Sequence, residues 1–221
     1  MRGVGLSRER VLAAALAIVD AEGVDGLTMR RLGRECGVEA MSLYRHVANK
    51  DDVLAGLREQ VWEGVLSRMR RTGVADRRVT LRTYADALLE PLLVHPGLAP
   101  VVLATGAEES QVRVNEELAG RLRAAGAQPL AALAVIQLIT SFVLGTAALA
   151  GIPGGPWEEP EGASVIPDLL ADDSAWPGLA WLRTAEGGEG GVRETLGRLY
   201  DEGLEMILDG IEARDQGPRP A

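Results

Sequence analysis

The sequence predicts an all-α chain, with a small N-terminal unit built on a helix-turn-helix and a larger α-helical domain after it. Three observations predict this. Apolar residues recur at helical spacing along most of the chain, and no strand-like alternation persists. Helix punctuation falls where that pattern starts and stops: Ser7, Thr28 and Asn49 precede apolar runs, and Gly23, Gly37 and Gly126 follow them. Hydrophobic residues make up 47% of the 221, enough for a sizeable core, while aromatics are only 4%, so aliphatic side chains must fill it.

Taken in order, Ser7 caps a first helix to about Glu22, with Glu9 favourably placed against the dipole in its first turn. Val11, Leu12, Ala15, Ile18 and Val19 form its apolar stripe; Gly23 ends it and residues 24–26 connect onward. Leu27 to Lys50 reads as helix, tight turn, helix and the capped start of another. The Thr28 hydroxyl can accept from a free amide of the first turn. Gly37 suits the left-handed position that stops the helix. Leu32 and Cys36 on one helix, and Leu43 and Val47 on the next, lie one turn apart and can pack across the turn. Met41, Ser42, Tyr44, Arg45 and His46 then face outward, with Lys50 just beyond. Such a face suits a DNA major groove, where Arg bonds guanine edges, hydroxyls bond phosphates and Met touches a thymine methyl. The plainer reading is a helical hairpin with a solvated polar face, and spacing alone does not choose between the two.

Asn49 caps a helix to about Arg71, with Asp52 three residues on as a short analogue of the capping box. Val53, Leu54, Leu57, Val61, Leu66 and Met69 mark its buried side, and Arg68, Arg70 and Arg71 close it at the pole that favours cations. Residues 72–78 read as a loop, and Val79–Val94 as a helix with Pro91 inside it and a break at 95–97. Leu98–Ala104 and Glu108–Ala125 follow as two helices. Pro129, at a favoured first position, opens a long helix to Ala150. Residues 151–162 read as irregular, 176–182 as a short helix, and 187–191 as a flexible joint. A last helix runs from Val192 to about Arg214, with Val192, Leu196, Leu199, Gly203, Ile207 and Ile211 in line. The domain division is 1–52, 53–214 and a disordered tail at 215–221.

Net charge is −9, but residues 1–50 carry +2 and the remainder −11. A mildly basic head on an acidic body fits a protein that touches nucleic acid with one end only. The single cysteine, Cys36, forbids an internal disulfide and suits the reducing cytoplasm. It reads as a small core residue rather than a redox sensor. No apolar signal-peptide core is visible at the N-terminus. Leu130–Ile152 is long enough to cross a bilayer, but Gln137, Thr140, Ser141 and Thr146 interrupt it; the centre of a soluble domain or of a dimer explains it better, and no membrane partner is expected. His95 reads as closing a helix end by bonding a carbonyl, with a ligand contact as the other possibility. Trp62, Trp157, Trp176 and Trp181 read as packing residues rather than a ligand cage. Two distant histidines, one cysteine and no phosphate loop argue against an enzyme, and no catalytic residue, cofactor or metal is expected.

In sequence, the motifs are more specific than a generic helix-turn-helix. Gly26-Leu27-Thr28, Arg30-Arg31-Leu32, Gly37-Val38, Leu43-Tyr44-Arg45-His46-Val47 and Asn49-Lys50-Asp51 resemble the TetR family of one-component transcriptional repressors over about Ser7–Leu57. The body looks like the tetracycline-repressor branch through Leu92-Leu93-Val94-His95-Pro96-Gly97, Ala125-Gly126 and Phe142-Val143-Leu144-Gly145. The resemblance implies a homodimer that presents a recognition helix, about Glu39–His46, to successive major grooves of a near-palindromic operator. By position, Thr28, Arg30, Met41, Ser42, Tyr44, Arg45, His46 and Lys50 would meet the DNA. Ala40 stands where the tetracycline repressor has a base-reading glutamine, so the operator should differ.

The resemblance also implies a small-molecule effector in the body that shifts the helix after Asn49 and releases the DNA. The positions that hold drug and magnesium in the tetracycline repressor fall on Leu66, Tyr84, Val102 and Leu118. Without imidazole and amide groups there, tetracycline–Mg is not the expected effector. A pocket of Leu66, Tyr84, Leu88, Val102, Leu118 and Phe142 would favour a hydrophobic molecule, although each residue singly reads as plain core. Dimerisation is expected through the helices at 129–150 and 192–214, with Ala131, Ala134, Ser141, Gly145 and Ala148 allowing close approach. Gln137 would either pair across the dimer or face the ligand. An activator of the same family, or a helical ligand-binding protein without DNA function, are the alternatives.

Overall fold

A computed structural model describes residues 6–73, 76–104, 108–150, 174–183 and 192–216. Among these the elements are ten helices and no strand: α1 (Arg8–Gly26), α2 (Met29–Cys36), α3 (Ala40–Leu43), α4 (Lys50–Thr72), α5 (Arg77–Val94), α6 (Leu98–Leu103), α7 (Glu109–Ala124), α8 (Pro129–Ala150), α9 (Pro177–Arg183) and α10 (Val192–Gln216). The expected irregular stretch at 151–162, the joint at 187–191, Trp157 and residues 217–221 lie outside the described residues. The chain forms two compact units, residues 1–147 and 148–221.

The local signals act as their chemistry requires. Ser7 Oγ accepts from the Arg10 amide at 3.3 Å, Thr28 Oγ1 from Arg31 at 3.1 Å and Asn49 Oδ1 from Asp52 at 2.9 Å. The capping box at Asn49 is displaced by one residue, because Asp52 Oδ2 accepts from the Ala48 amide at 2.7 Å. Gly37 takes the left-handed conformation at φ 70° and ψ 29°, which a side chain would resist. Gly23, at φ 70° and ψ 178°, breaks α1 as expected, yet helical geometry resumes and carries α1 on to Gly26. The expected loop at 72–78 is shorter than read: Asp76 caps α5 by accepting from the Val79 amide at 2.8 Å, so the helix opens at Arg77.

The first unit is organised around α4, which packs on α1, α5, α6 and α7. Val53, Leu57, Val61, Trp62, Val65, Leu66 and Met69 are buried along it. Full burial of each such aliphatic side chain contributes about 1.5–3 kcal/mol. Polar contacts set its position lengthwise. Arg8 of α1 pairs with Asp52 at 2.7 Å and donates to the His46 carbonyl at 3.0 Å. Arg58 pairs with Glu108 at 2.5 Å, with side chains only 11% and 8% exposed, and Ser110 Oγ donates to Glu59 at 2.6 Å. Near the other end, Arg121 of α7 donates to the Met69 carbonyl at 2.9 Å. The start and the end of α7 are thereby both fastened to α4.

His95 is structural, but its partner is not a carbonyl. Its Nδ1 lies 2.6 Å from Asp20 Oδ2, joining the end of α5 to α1. Two residues on, Gly97 lies so close to α1 that a Cβ there would stand 2.4 Å from the Val19 carbonyl oxygen.

On α8, Ile139, Val143 and Ala147 are buried at successive turns, while Leu130, Leu133, Leu138 and Leu149 are exposed. Ala131, Ala134, Ser141 and Gly145 are exposed as well, and Ala148 is half-buried. Gln137, expected to pair across a dimer or to face a ligand, is exposed in the single chain and donates to Ser141 Oγ at 3.0 Å along the same helix. The second unit holds α9 and α10. On α9 and just before it, Trp181 and Trp176 are exposed. On α10 the buried line is Leu196, Tyr200, Leu204 and Leu208, whereas Leu199 and Met206 are exposed. The expected line through Leu199 and Gly203 is therefore rotated, because α10 carries two apolar lines.

Candidate functional site

The helix-turn-helix is held by a few buried anchors and leaves its outer face bare. Leu32, Leu43 and Val47 are buried as expected, and Cys36 is half-buried. Burial pushes the Cys36 thiol above its ordinary pKa, away from the reactive thiolate. Gly33 lets α2 and α3 approach: its carbonyl accepts from Val38 at 2.9 Å, and a Cβ would stand 3.0 Å from the Val38 oxygen and 3.1 Å from the Ala40 nitrogen. The sequence shows Gly33 only as one more small residue in a short helix, so its role is visible only in space.

The second helix of the motif is shorter than the expected Glu39–His46. Regular α-helix covers Ala40–Leu43, and residues 44–46 form a turn in which the His46 amide bonds back to Leu43 at 2.8 Å. The Arg8 guanidinium on the His46 carbonyl holds this turn from α1. Met41 is 74% exposed, Tyr44 is 48% exposed, and Arg45 is exposed beside them. Ser42 and His46 are half-buried on the flanks. Thr28 and Arg30 are exposed on the preceding helix. Thr28 spends an oxygen lone pair on its cap and keeps its hydroxyl proton for an outside acceptor. Arg31 is held by Glu22 at 2.9 Å and Glu35 at 2.6 Å, which leaves Arg30, Arg34 and Arg45 as the arginines of the motif without a carboxylate among the described residues. Lys50 is placed differently from the other candidates: it is half-buried and its Nζ donates to the Val24 carbonyl at 2.7 Å, tying the start of α4 to α1. Two ammonium protons remain for an anion.

The effector candidates come from five helices: Leu66 on α4, Tyr84 and Leu88 on α5, Val102 on α6, Leu118 on α7 and Phe142 on α8. All are buried except the half-buried Phe142. The Tyr84 hydroxyl lies 2.7 Å from Thr140 Oγ1, which itself donates to the Ile136 carbonyl at 2.7 Å; the phenol is therefore the donor to Thr140. Burial pushes the Tyr84 phenol above its ordinary pKa, so it stays neutral. Sequence spacing had not paired Tyr84 with Thr140.

A helix-turn-helix head with free cations on its outer side, fastened to a larger helical body, defines a DNA-binding regulator. Residues 11–57 match the family model for bacterial regulatory proteins of the tetR family, and residues 70–214 match that of the tetracyclin repressor-like C-terminal domain. The chain belongs to the TetR family of ligand-responsive DNA-binding transcriptional regulators. It is 32% identical over 229 residues to the class D tetracycline repressor protein of Escherichia coli, covering 95% of this chain and 90% of that one. A possible TetR family regulator from Streptomyces coelicolor A3(2) superposes with TM-score 0.75 at 29% identity, over 94% of this chain and 99% of its own. ActR of Streptomyces coelicolor, in complex with actinorhodin, superposes with TM-score 0.71 at 26% identity, over 96% and 97%. TetR-family proteins are regulators rather than enzymes; they bind DNA operators and small-molecule effectors and typically form dimers.

Proposed function

We propose that this protein is a cytoplasmic homodimeric repressor that leaves a near-palindromic operator when a largely hydrophobic effector enters its body. The observation that carries this is the exposed face of Met41, Tyr44 and Arg45 on a motif whose neighbouring Arg31 is already neutralised. Arg30 and Arg45 then read base edges or phosphates; Thr28, Ser42, Tyr44 and His46 donate to phosphates; Met41 meets a thymine methyl; and Lys50 adds a phosphate contact while bracing α4. The exposed apolar sides of α8 and α10 support a dimer in which each subunit contributes both helices. Gln137 and Ser141 then lie in that interface, which favours the dimer reading of Gln137 over the ligand reading.

Leu66, Tyr84, Leu88, Val102, Leu118 and Phe142 form the effector wall. Its buried aliphatic side chains and one neutral phenol offer no ligand set for a magnesium–drug chelate, which supports an apolar effector over tetracycline–Mg. The test is anisotropy of labelled DNA flanking the protein's own gene. Each bidentate contact to a base is worth about 1–3 kcal/mol, and a dimer makes it twice, so Arg45→Glu should weaken binding by roughly thirtyfold or more. Unchanged affinity in that variant, or wild-type binding that does not fall with salt, refutes the reading.

A further inference from the structure

Between the C-terminal half of α4 and the start of α7 lies an open cleft of about 460 Å³ that shares Leu66 with the effector wall. Leu66, Ser67, Arg70 and Arg71 line it from α4 and Arg113 from α7, with Glu63 as its one lining carboxylate. Three guanidiniums from two helices thus converge on one opening in a body that is otherwise strongly acidic. The helix dipole accounts for Arg70 and Arg71 at the end of α4. It does not account for Arg113, one turn into α7, near the pole that repels cations.

The donors of these arginines are largely unspent. Arg71 gives one N–H to Ser67 Oγ at 2.6 Å. Arg113 pairs with Glu109 on its own helix. The Arg70 guanidinium bonds no described group, and a guanidinium has five N–H donors. At the cleft wall Leu66 is only 5% exposed, and it is also the first residue of the apolar effector wall. Leu66 is therefore common to the cleft and to the proposed wall.

We infer that this cleft holds the anionic head of an amphiphilic effector, a carboxylic or sulfonic acid whose apolar body lies against Leu66. The inference rests on the effector reading above and adds its charge. Planar oxyanions match the guanidinium fork, and a charge-assisted bond of this kind contributes more than a neutral one. Glu63 opposes an anion and so favours a single negative charge over a phosphate dianion.

The test uses two fluorescent probes with the full-length protein: 8-anilinonaphthalene-1-sulfonate, and N-phenyl-1-naphthylamine, which has the same aryl skeleton without the sulfonate. In the double variant Arg70→Ala/Arg113→Ala the sulfonate should bind about tenfold more weakly, the loss of one charge-assisted bond, while the neutral probe stays within about twofold. Arg123→Ala, an exposed arginine outside the cleft, should leave both unchanged. If the sulfonate binds the double variant as well as wild type, or loses as much with Arg123→Ala, the cleft does not hold the acid, while binding of the neutral probe still supports the apolar wall. If the sulfonate depends on Arg70 and Arg113 but the neutral probe does not bind, the cleft stands and the apolar wall falls. If neither probe binds, both are overturned.

Discussion

Gly97 gives the sharpest test of how the head is joined to the body. Its backbone lies at φ −60° and ψ −17°, where any residue is comfortable. On conformational grounds alone Gly97→Ala should therefore stabilise the protein, by up to about 1 kcal/mol. The neighbourhood reverses the sign. A Cβ would stand 2.4 Å from the Val19 carbonyl oxygen and 2.7 Å from its carbon, both backbone atoms of α1. Carbon and oxygen sit comfortably at about 3.3 Å or more, so α6 must retreat from α1 by about 1 Å. Overpacking of this kind typically costs about 1–3 kcal/mol, which outweighs the conformational gain. Gly120→Ala is the control: it lies within α7, and nothing stands within 4 Å of its added Cβ. For a chain of this size each kcal/mol moves Tm by about 2–4 °C, so the two variants should separate by roughly 4–10 °C, Gly97→Ala below wild type and Gly120→Ala at or above it. Thermal unfolding followed by circular dichroism at one fixed protein concentration reads this directly. A Gly97→Ala protein as stable as wild type would show that the α1–α6 contact is loose and that the head is joined to the body elsewhere.

Acid should weaken the same region. The Arg8 guanidinium, with the Ala48 amide, holds the Asp52 carboxyl below its ordinary pKa. A depressed carboxylate contributes stability above its unfolded pKa, and that contribution is lost as pH falls through the folded value, so the loss should develop from about pH 5 downward. Asp52→Asn should lower Tm at neutral pH and flatten this acid arm; an unchanged slope in Tm against pH counts against the pair. Tyr84→Phe removes the donor to Thr140 but leaves Thr140 bonded to Ile136, so a loss of about 1 kcal/mol is expected in urea unfolding, and a stabilised variant would show that the phenol is not bonded there.

What could be read from the sequence was what local chemistry decides. The caps at Ser7, Thr28 and Asn49 and the turn at Gly37 involve partners within a few residues, so residue type and spacing suffice. The outward face of Met41, Tyr44 and Arg45 was legible for the same reason, since Leu43 and Val47 had to turn inward. The early end of α3 was not, because the turn is held by Arg8, 38 residues away. Nor was the Asp20 partner of His95, 75 residues away, or the Thr140 partner of Tyr84. Gly33 and Gly97 look like any other glycine until another backbone is placed against them. On α10 two apolar lines compete, and only packing decides that Tyr200 and Leu204 are buried while Leu199 is exposed. The proposed effector residues rest on the resemblance alone, since leucines at helical spacing look the same in a core and in a binding wall.

The length of α4 has a mechanical meaning. It runs unbroken from Lys50 to Thr72, 23 residues. At 1.5 Å per residue it is a lever of about 34 Å, and a swing of about 5° around one end carries the other through about 3 Å. A hydrogen bond to a base edge tolerates only a few tenths of an ångström. On the proposed function, a molecule wedged among the far helices would therefore need no reshaping of the head; a slight tilt of this arm would take the proposed DNA-reading residues out of register.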